Sequence, residues 1–264
     1  MRTRAWPPRT QPSGLALYFV ALLVLLYVPI ALLFLFSLHD NTVLSFPLRG
    51  LTIDWYRRVL EVEGLLRAAR NSLLVGLGSA FVATILGTMV AIVVARYQFR
   101  GKTILIALTV MPLIVPFVVL AVALLLLFAA LDIDRSLWTI GLAHTVVSLP
   151  YVLLIVSTRL SGFDASMEEA AMDLGADYPT TLRRIVVPIL APAVVAAFLT
   201  AFTVSFDEFA LALFLAGPDP TFPVYLFGQL RFANRLPIMI ALAMLLLIGT
   251  MSLAVTADRL RRAD

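Results

Sequence analysis

EAAMDLGADYPTTLRRIVVP, residues 169–188, is a polar stretch set between two apolar segments of membrane length, 137–160 and 188–214. Asp164 suits the N-cap of a helix over 165–174. Glu168 and Glu169 then fall at the favourable positive end of that helix's dipole. Ala170 and Ala171 leave a small, flat surface beside Glu169, and Asp173 and Ala176 flank Gly175, which lets the backbone turn with positive φ. Asp177 can cap a second helix, with Tyr178, Pro179, Thr180 and Thr181 in its first turn and Arg183 and Arg184 in its last. That charge order again suits the dipole. Pro188 is expected to end this piece and start the next apolar segment. The stretch reads as a stiff helix-turn-helix, a docking element joined to two spans.

The rest of the composition says what it is joined to. Of 264 residues, 61% are hydrophobic and 14% charged. A soluble domain of this size cannot bury that much apolar surface. Several runs reach ~20 residues with few or no charges, enough to cross ~30 Å of hydrocarbon. The formal net charge is +4, with basic residues spread over loops rather than gathered on one face with aromatics, so nucleic acid is not an expected partner. There is no cysteine, which excludes disulfides, thiolate metal sites and cysteine nucleophiles.

Six spans are expected, at about 15–38, 71–95, 104–131, 137–160, 188–214 and 238–257. A basic tail, 1–14, precedes a single transmembrane domain, 15–264, and the loop 164–187 separates spans 4 and 5. The first apolar run is too long for a cleaved signal's core and lacks a small-residue cleavage site after it, so it reads as an uncleaved span. Residues 39–70 form the longest polar connection. Within it, 51–60 suggests a short amphipathic helix with Trp55 and Tyr56 at headgroup level. Arg2, Arg4 and Arg9, then Arg96, Arg100 and Lys102, then Arg259, Arg261 and Arg262 place both termini and the loop after span 2 in the cytoplasm. The arginines of 49–70 weaken that bias. Ala83, Gly87, Ala91 and Ala95 form a small-residue packing stripe. Pro112 and Pro116 each remove a backbone donor from span 3. They make it bent or loosened, either as a packing kink or as a gating hinge.

The loop 164–187 resembles the signature loop of permease subunits of ATP-binding-cassette importers. In that family the pattern is Glu-Ala-Ala, three residues, Gly, nine residues, then Ile-x-Leu-Pro. Here it stands as Glu169-Ala170-Ala171, Gly175, Ile185 and Val187-Pro188, with Val187 for leucine. The resemblance implies coupling helices, drawing on Glu168 to Ala171, Asp173, Gly175, Ala176, Arg183, Ile185 and Pro188, that insert into a separate cytoplasmic ATPase. It implies an all-α, six-span fold, a bacterial inner-membrane location, no catalysis, and no cofactor in this chain, with ATP and Mg bound by an ATPase dimer. A second permease subunit, an extracytoplasmic solute-binding protein and a small-molecule solute complete the partners. Asn71-Ser72-Leu73, 95–101, 112–116, Ser148-Leu149-Pro150-Tyr151 and 205–209 look like the subset importing polyamines, and within it the second of two permeases. Relatives often carry a polar Pro-Glu-x-Asn opening to span 6; here Pro237 is followed by Ile238, Met239 and Ile240.

Asp207 and Glu208 are the sharpest intramembrane feature. Asp207 lies about 28 Å along span 5 from Pro188 at 1.5 Å per residue. The pair reads either as a polar vestibule favouring cations or as a helix end meeting other protein groups. Ser205 and Thr203 could extend a polar track, although hydroxyls often satisfy their own helix backbone. His144, alone, reads as a packed, hydrogen-bonded residue rather than a metal ligand. An ion-driven secondary transporter is the alternative function, but no repeat or central ionisable pair favours it. An intramembrane enzyme would need paired catalytic residues or a motif such as HExxH, and neither is present.

Overall fold

The computed structural model describes residues 14–42, 45–48, 50–62, 64–162 and 166–263. Asp164, Arg49 and the tail arginines Arg2, Arg4 and Arg9 lie outside the described residues. In chain order the helices are α1 Gly14–Ser37, α2 Asp54–Arg58, α3 Leu65–Arg96, α4 Lys102–Val110, α5 Phe117–Ala130, α6 Leu137–Ser161, α7 Ser166–Asp173, α8 Tyr178–Thr181, α9 Val187–Asp207, α10 Ala210–Leu215, α11 Phe222–Gln229 and α12 Leu236–Ala263. Extended pairing among the described residues is an isolated bridge between His39 and Leu51. Four helices are long and apolar enough to cross a membrane, and up to six spans result if two broken pairs each count as one. The protein is all-helical, as expected.

Two compact units are built from these helices, Met1–Val62 with Gly228–Asp264, and Glu63–Phe227. In the first, α12 packs on α1 and α2. The helix expected within 51–60 forms as α2, with Trp55 buried. Its indole Nε1 donates to the His39 carbonyl at 2.8 Å, and Tyr56 shares a 2.6 Å hydrogen bond with Ser37 Oγ. An indole donor that finds a carbonyl inside the protein no longer needs headgroup water.

The second unit is a bundle centred on α3, α6 and α9. Ala80, Ala83, Ala91, Val152, Val156, Ala197 and Ala201 make its fully buried seam. In lipid no hydrophobic force separates helix from solvent, so close backbone approach through small residues supplies the adhesion. Gly87 shows how tight this is. A Cβ there would stand 2.7 Å from both Cβ and Cγ1 of Val152. Ala83, Gly87 and Ala91 of the expected stripe are buried, whereas Ala95 is exposed.

Helix α3 begins six residues before the expected start of span 2. Gly64, at φ +85°, opens it, and Leu65 and Ala68 are buried. The arginines that make 65–70 look like loop are accommodated because their long stems let the charge leave the packed face. The expected span 3 is broken. A 3₁₀ turn, Met111–Leu113, follows α4, and the two halves meet at 107°. Pro112 sits inside that turn and Pro116, at ψ 131°, starts α5 from an extended conformation. Two missing donors one turn apart leave too few hydrogen bonds to hold the helix straight.

Candidate functional site

Gly175 organises the loop. Its φ is +89°, its N–H donates to the Met172 carbonyl at 2.9 Å, and Ala176 N–H donates to the Ala171 carbonyl at 3.0 Å. These two bonds are the Schellman closure of α7, which a residue with a Cβ would strain. Asp177 then caps α8, its Oδ1 accepting from Thr180 N–H at 3.0 Å. Hydrogen bonding from Thr180 holds the Asp177 carboxyl below its ordinary value.

The expected stop at Pro188 does not occur. The chain stays helical from Tyr178 to Asp207, passing through a π turn at Leu182–Val186. Pro188 has no N–H, and its ring would collide with the carbonyl one turn back. A widened turn just before it relieves both demands. The second loop helix is therefore a rigid extension of span 5.

The expected loop residues divide by exposure. Glu169, Ala170, Asp173, Gly175, Arg183 and Pro188 are exposed, and Ala171, Ala176 and Ile185 are half-buried. Leu174 is 90% exposed between the two loop helices. Glu168 faces the opposite way. It is buried, with Oε1 2.5 Å from Arg96 Nη2 at the end of α3. Tyr178 lies beside this pair and next to Tyr97. Arg96 and Tyr97 were not among the residues that the sequence singled out for the loop. They lie some 70 positions upstream, and no local pattern links them to it.

At the far end of α9 the sequence candidates also separate. Asp207 and Thr203 are exposed, and the Thr203 hydroxyl donates to the Leu199 carbonyl at 2.9 Å. Ser205 and Glu208 are buried. Helix α9 ends at Asp207, and Glu208 is extended, with ψ 121°. The Glu208 carboxylate accepts from Leu211 N–H at 3.0 Å and Ala212 N–H at 3.1 Å, so it caps α10. His144 Nε2 stands 3.2 Å from Glu208 Oε2. The other ring nitrogen, Nδ1, is hydrogen-bonded to Ser205 Oγ at 2.7 Å, which accepts from Ser79 Oγ at 2.8 Å. A polar chain thus ties α3, α6, α9 and α10 at a helix break. His144 is packed and hydrogen-bonded, as read from sequence. Among the described residues no group of three or more His, Asp or Glu is gathered for a metal.

Helix α3 also holds the segment before α11. Asn71 Nδ2 donates to the Pro220 carbonyl at 3.0 Å, and Ser72 Oγ accepts from Phe222 N–H at 2.8 Å. Arg67 and Asp219 form an exposed ion pair at 3.9 Å.

A family model described as binding-protein-dependent transport system inner membrane component matches residues 83–263. The chain belongs to this family. It is the non-catalytic permease subunit of a binding-protein-dependent ABC importer and a multi-pass inner-membrane protein. Among its relatives is the spermidine/putrescine transport system permease protein PotC of Escherichia coli (strain K12), 33% identical over 93% of this chain and 92% of that one. The putrescine transport system permease protein PotI of the same strain is 36% identical over 84% and 81%. The fold is shared with a chain in the crystal structure of a bacterial alginate ABC transporter in complex with an alginate pentasaccharide-bound periplasmic protein. That chain is 14% identical with a TM-score of 0.70, covering 93% of this chain and 91% of its own.

Proposed function

We propose that this permease imports a polyamine or a closely related cationic solute, as the second permease of a heterodimer. The observation that carries this reading is the likeness to two polyamine permeases, at 33% and 36% identity, over most of each chain. We further infer one transmembrane domain, 15–264, after the tail 1–14, with six spans and both termini in the cytoplasm. The basic cluster 96–102 supports that topology by its charge.

In this reading the loop 164–187 inserts into a cytoplasmic ATPase dimer, which binds ATP and Mg. Its exposed Glu169, Ala170, Asp173 and Leu174 meet the ATPase. Closure of the dimer on ATP rocks the two permeases between inward-open and outward-open states, and a solute-binding protein delivers cargo outside. The unbroken helix from Tyr178 to Asp207 carries loop movement into span 5, since a helix resists bending far more than a loop does. Arg183, Ile185 and Pro188 travel with it.

Asp207 and Thr203, exposed on this chain, line the pathway. Glu208 and Ser205 hold the helix break that presents Asp207. An exposed carboxylate at this depth favours a cation over an anion. Pro112 and Pro116 serve as the hinge of span 3.

Uptake of labelled spermidine and putrescine into vesicles holding the assembled transporter tests the reading. Import that requires ATP and the binding protein supports it. Uptake without ATP would overturn the importer mechanism, and calorimetry showing no polyamine binding to the cognate binding protein would overturn the solute assignment.

A further inference from the structure

We propose that Arg96, with Tyr97 beside it, is a positioning residue that passes movement of the loop 164–187 into α3. The proposal rests on the reading that this loop docks the ATPase.

The chain joins the loop covalently to α6 before it and α9 after it. Helix α3 has no such connection and must be engaged through side chains. A charge pair does this. Glu168, on α7, pairs with Arg96 at 2.5 Å, and Tyr178, on α8, lies beside Tyr97. The arm of the loop before Gly175 is thereby fastened to the end of α3. A docking force at Glu169 or Leu174 reaches α3 through this pair.

The charge pair is sheltered. The side chains of Arg96 and Glu168 are 18% and 10% exposed, so solvent and salt screen them less than a surface pair. A cation that only fixed topology would face headgroups and water. Arg96 instead lies against a carboxylate on the loop itself.

Helix α3 has somewhere to send the movement. Ser72 lies 24 residues before Arg96, about 36 Å along the helix. There Asn71 and Ser72 hold the 220–222 backbone by two hydrogen bonds. Partway along, Ser79 enters the buried polar chain through Ser205. One stiff element thus bears the loop at one end and, at the other, the segment between α10 and α11.

The test uses the assembled transporter in proteoliposomes, measuring labelled spermidine imported per ATP hydrolysed and the ATPase recovered with the purified permease. Arg96→Gln and Glu168→Gln should each lower import per ATP by about five-fold or more, the low end of typical coupling between sites, with ATPase recovery unchanged. The exchanged pair, Arg96→Glu with Glu168→Arg, should regain most of the loss, which a merely structural role would not produce. Import per ATP at the original level in Glu168→Gln would overturn the proposal, and that variant leaves the basic cluster at 96–102 untouched if Arg96→Gln fails to insert. Failure of the swap to restore coupling would also overturn it. Glu169→Lys checks the docking reading separately: if that variant retains the ATPase and imports normally, the docking reading fails, whatever Arg96 shows.

Discussion

His144 Nε2 and Glu208 Oε2 stand 3.2 Å apart with side chains 1% and 2% exposed, although 64 positions separate them in the chain. Glu208 also caps α10 through two backbone N–H groups. One carboxylate therefore ends a broken span and binds it to a neighbouring helix.

Replacing Glu208 should cost more than replacing Ser205, which supports it through His144. Glu208→Ala strips two N–H groups of their acceptor, and each buried donor left unsatisfied typically costs about 1–3 kcal/mol. Ser205→Ala removes one hydroxyl and should cost roughly 1–3 kcal/mol. Thermal unfolding of the purified permease reads the order. Equal melting temperatures for the two variants would show that the cap carries no stability.

Glu169→Lys should abolish ATPase recovery and ATP-driven uptake while leaving membrane insertion intact. Its side chain is exposed, so reversing its charge disturbs no internal packing. Leu174→Asp should act in the same sense, because a 90% exposed leucine contributes by meeting a partner rather than by filling a core. Normal uptake in both variants would remove the loop from the docking surface.

Gly87→Ala should destabilise the bundle by about 1–3 kcal/mol, the usual cost of overpacking. The added carbon meets Val152 Cβ and Cγ1 at 2.7 Å. Combining it with Val152→Ala should recover part of that loss, since the second change removes one of the two colliding atoms. A melting temperature unchanged by Gly87→Ala alone would show that α3 and α6 can separate freely.

Acid should loosen α8 through Asp177. Its carboxyl sits below the ordinary 3.8 because Thr180 hydrogen-bonds the charged form. A lowered folded value means that the cap stabilises above the unfolded value and is lost as pH falls through the folded one. Amide exchange at Thr180 should therefore rise below pH 3.8 relative to Asp177→Asn, whose amide oxygen accepts at any pH. Identical profiles in the two proteins would deny the cap.

Much of the loop could be read locally. The Gly175 turn, the Asp177 cap and the proline break in span 3 depend on backbone rules acting within a few residues, and those rules are carried by residue type. The extent of the helices was harder to read. Pro188 looked like a stop because proline removes a donor, yet the π turn before it absorbs that loss. Arg67 and Arg70 looked like loop, yet α3 runs through them. A local change of helix pitch outweighed the first signal, and tertiary packing outweighed the second.

The sequence by itself determined that this chain is an apolar, multi-span helical protein with a polar helix-turn-helix loop, because segment length, charge spacing and turn chemistry are local quantities. Only the tertiary structure decided which acids are available to the outside. Glu168 and Glu169 are neighbours, as are Asp207 and Glu208, and each pair looks alike in the sequence. Successive helical residues point about 100° apart, so one member of the first pair turns inward to Arg96 and the other outward. At the second pair the helix ends, and Glu208 turns in to cap α10 and meet His144. Which side is inward depends on the helices packed against it, and those come from distant parts of the chain.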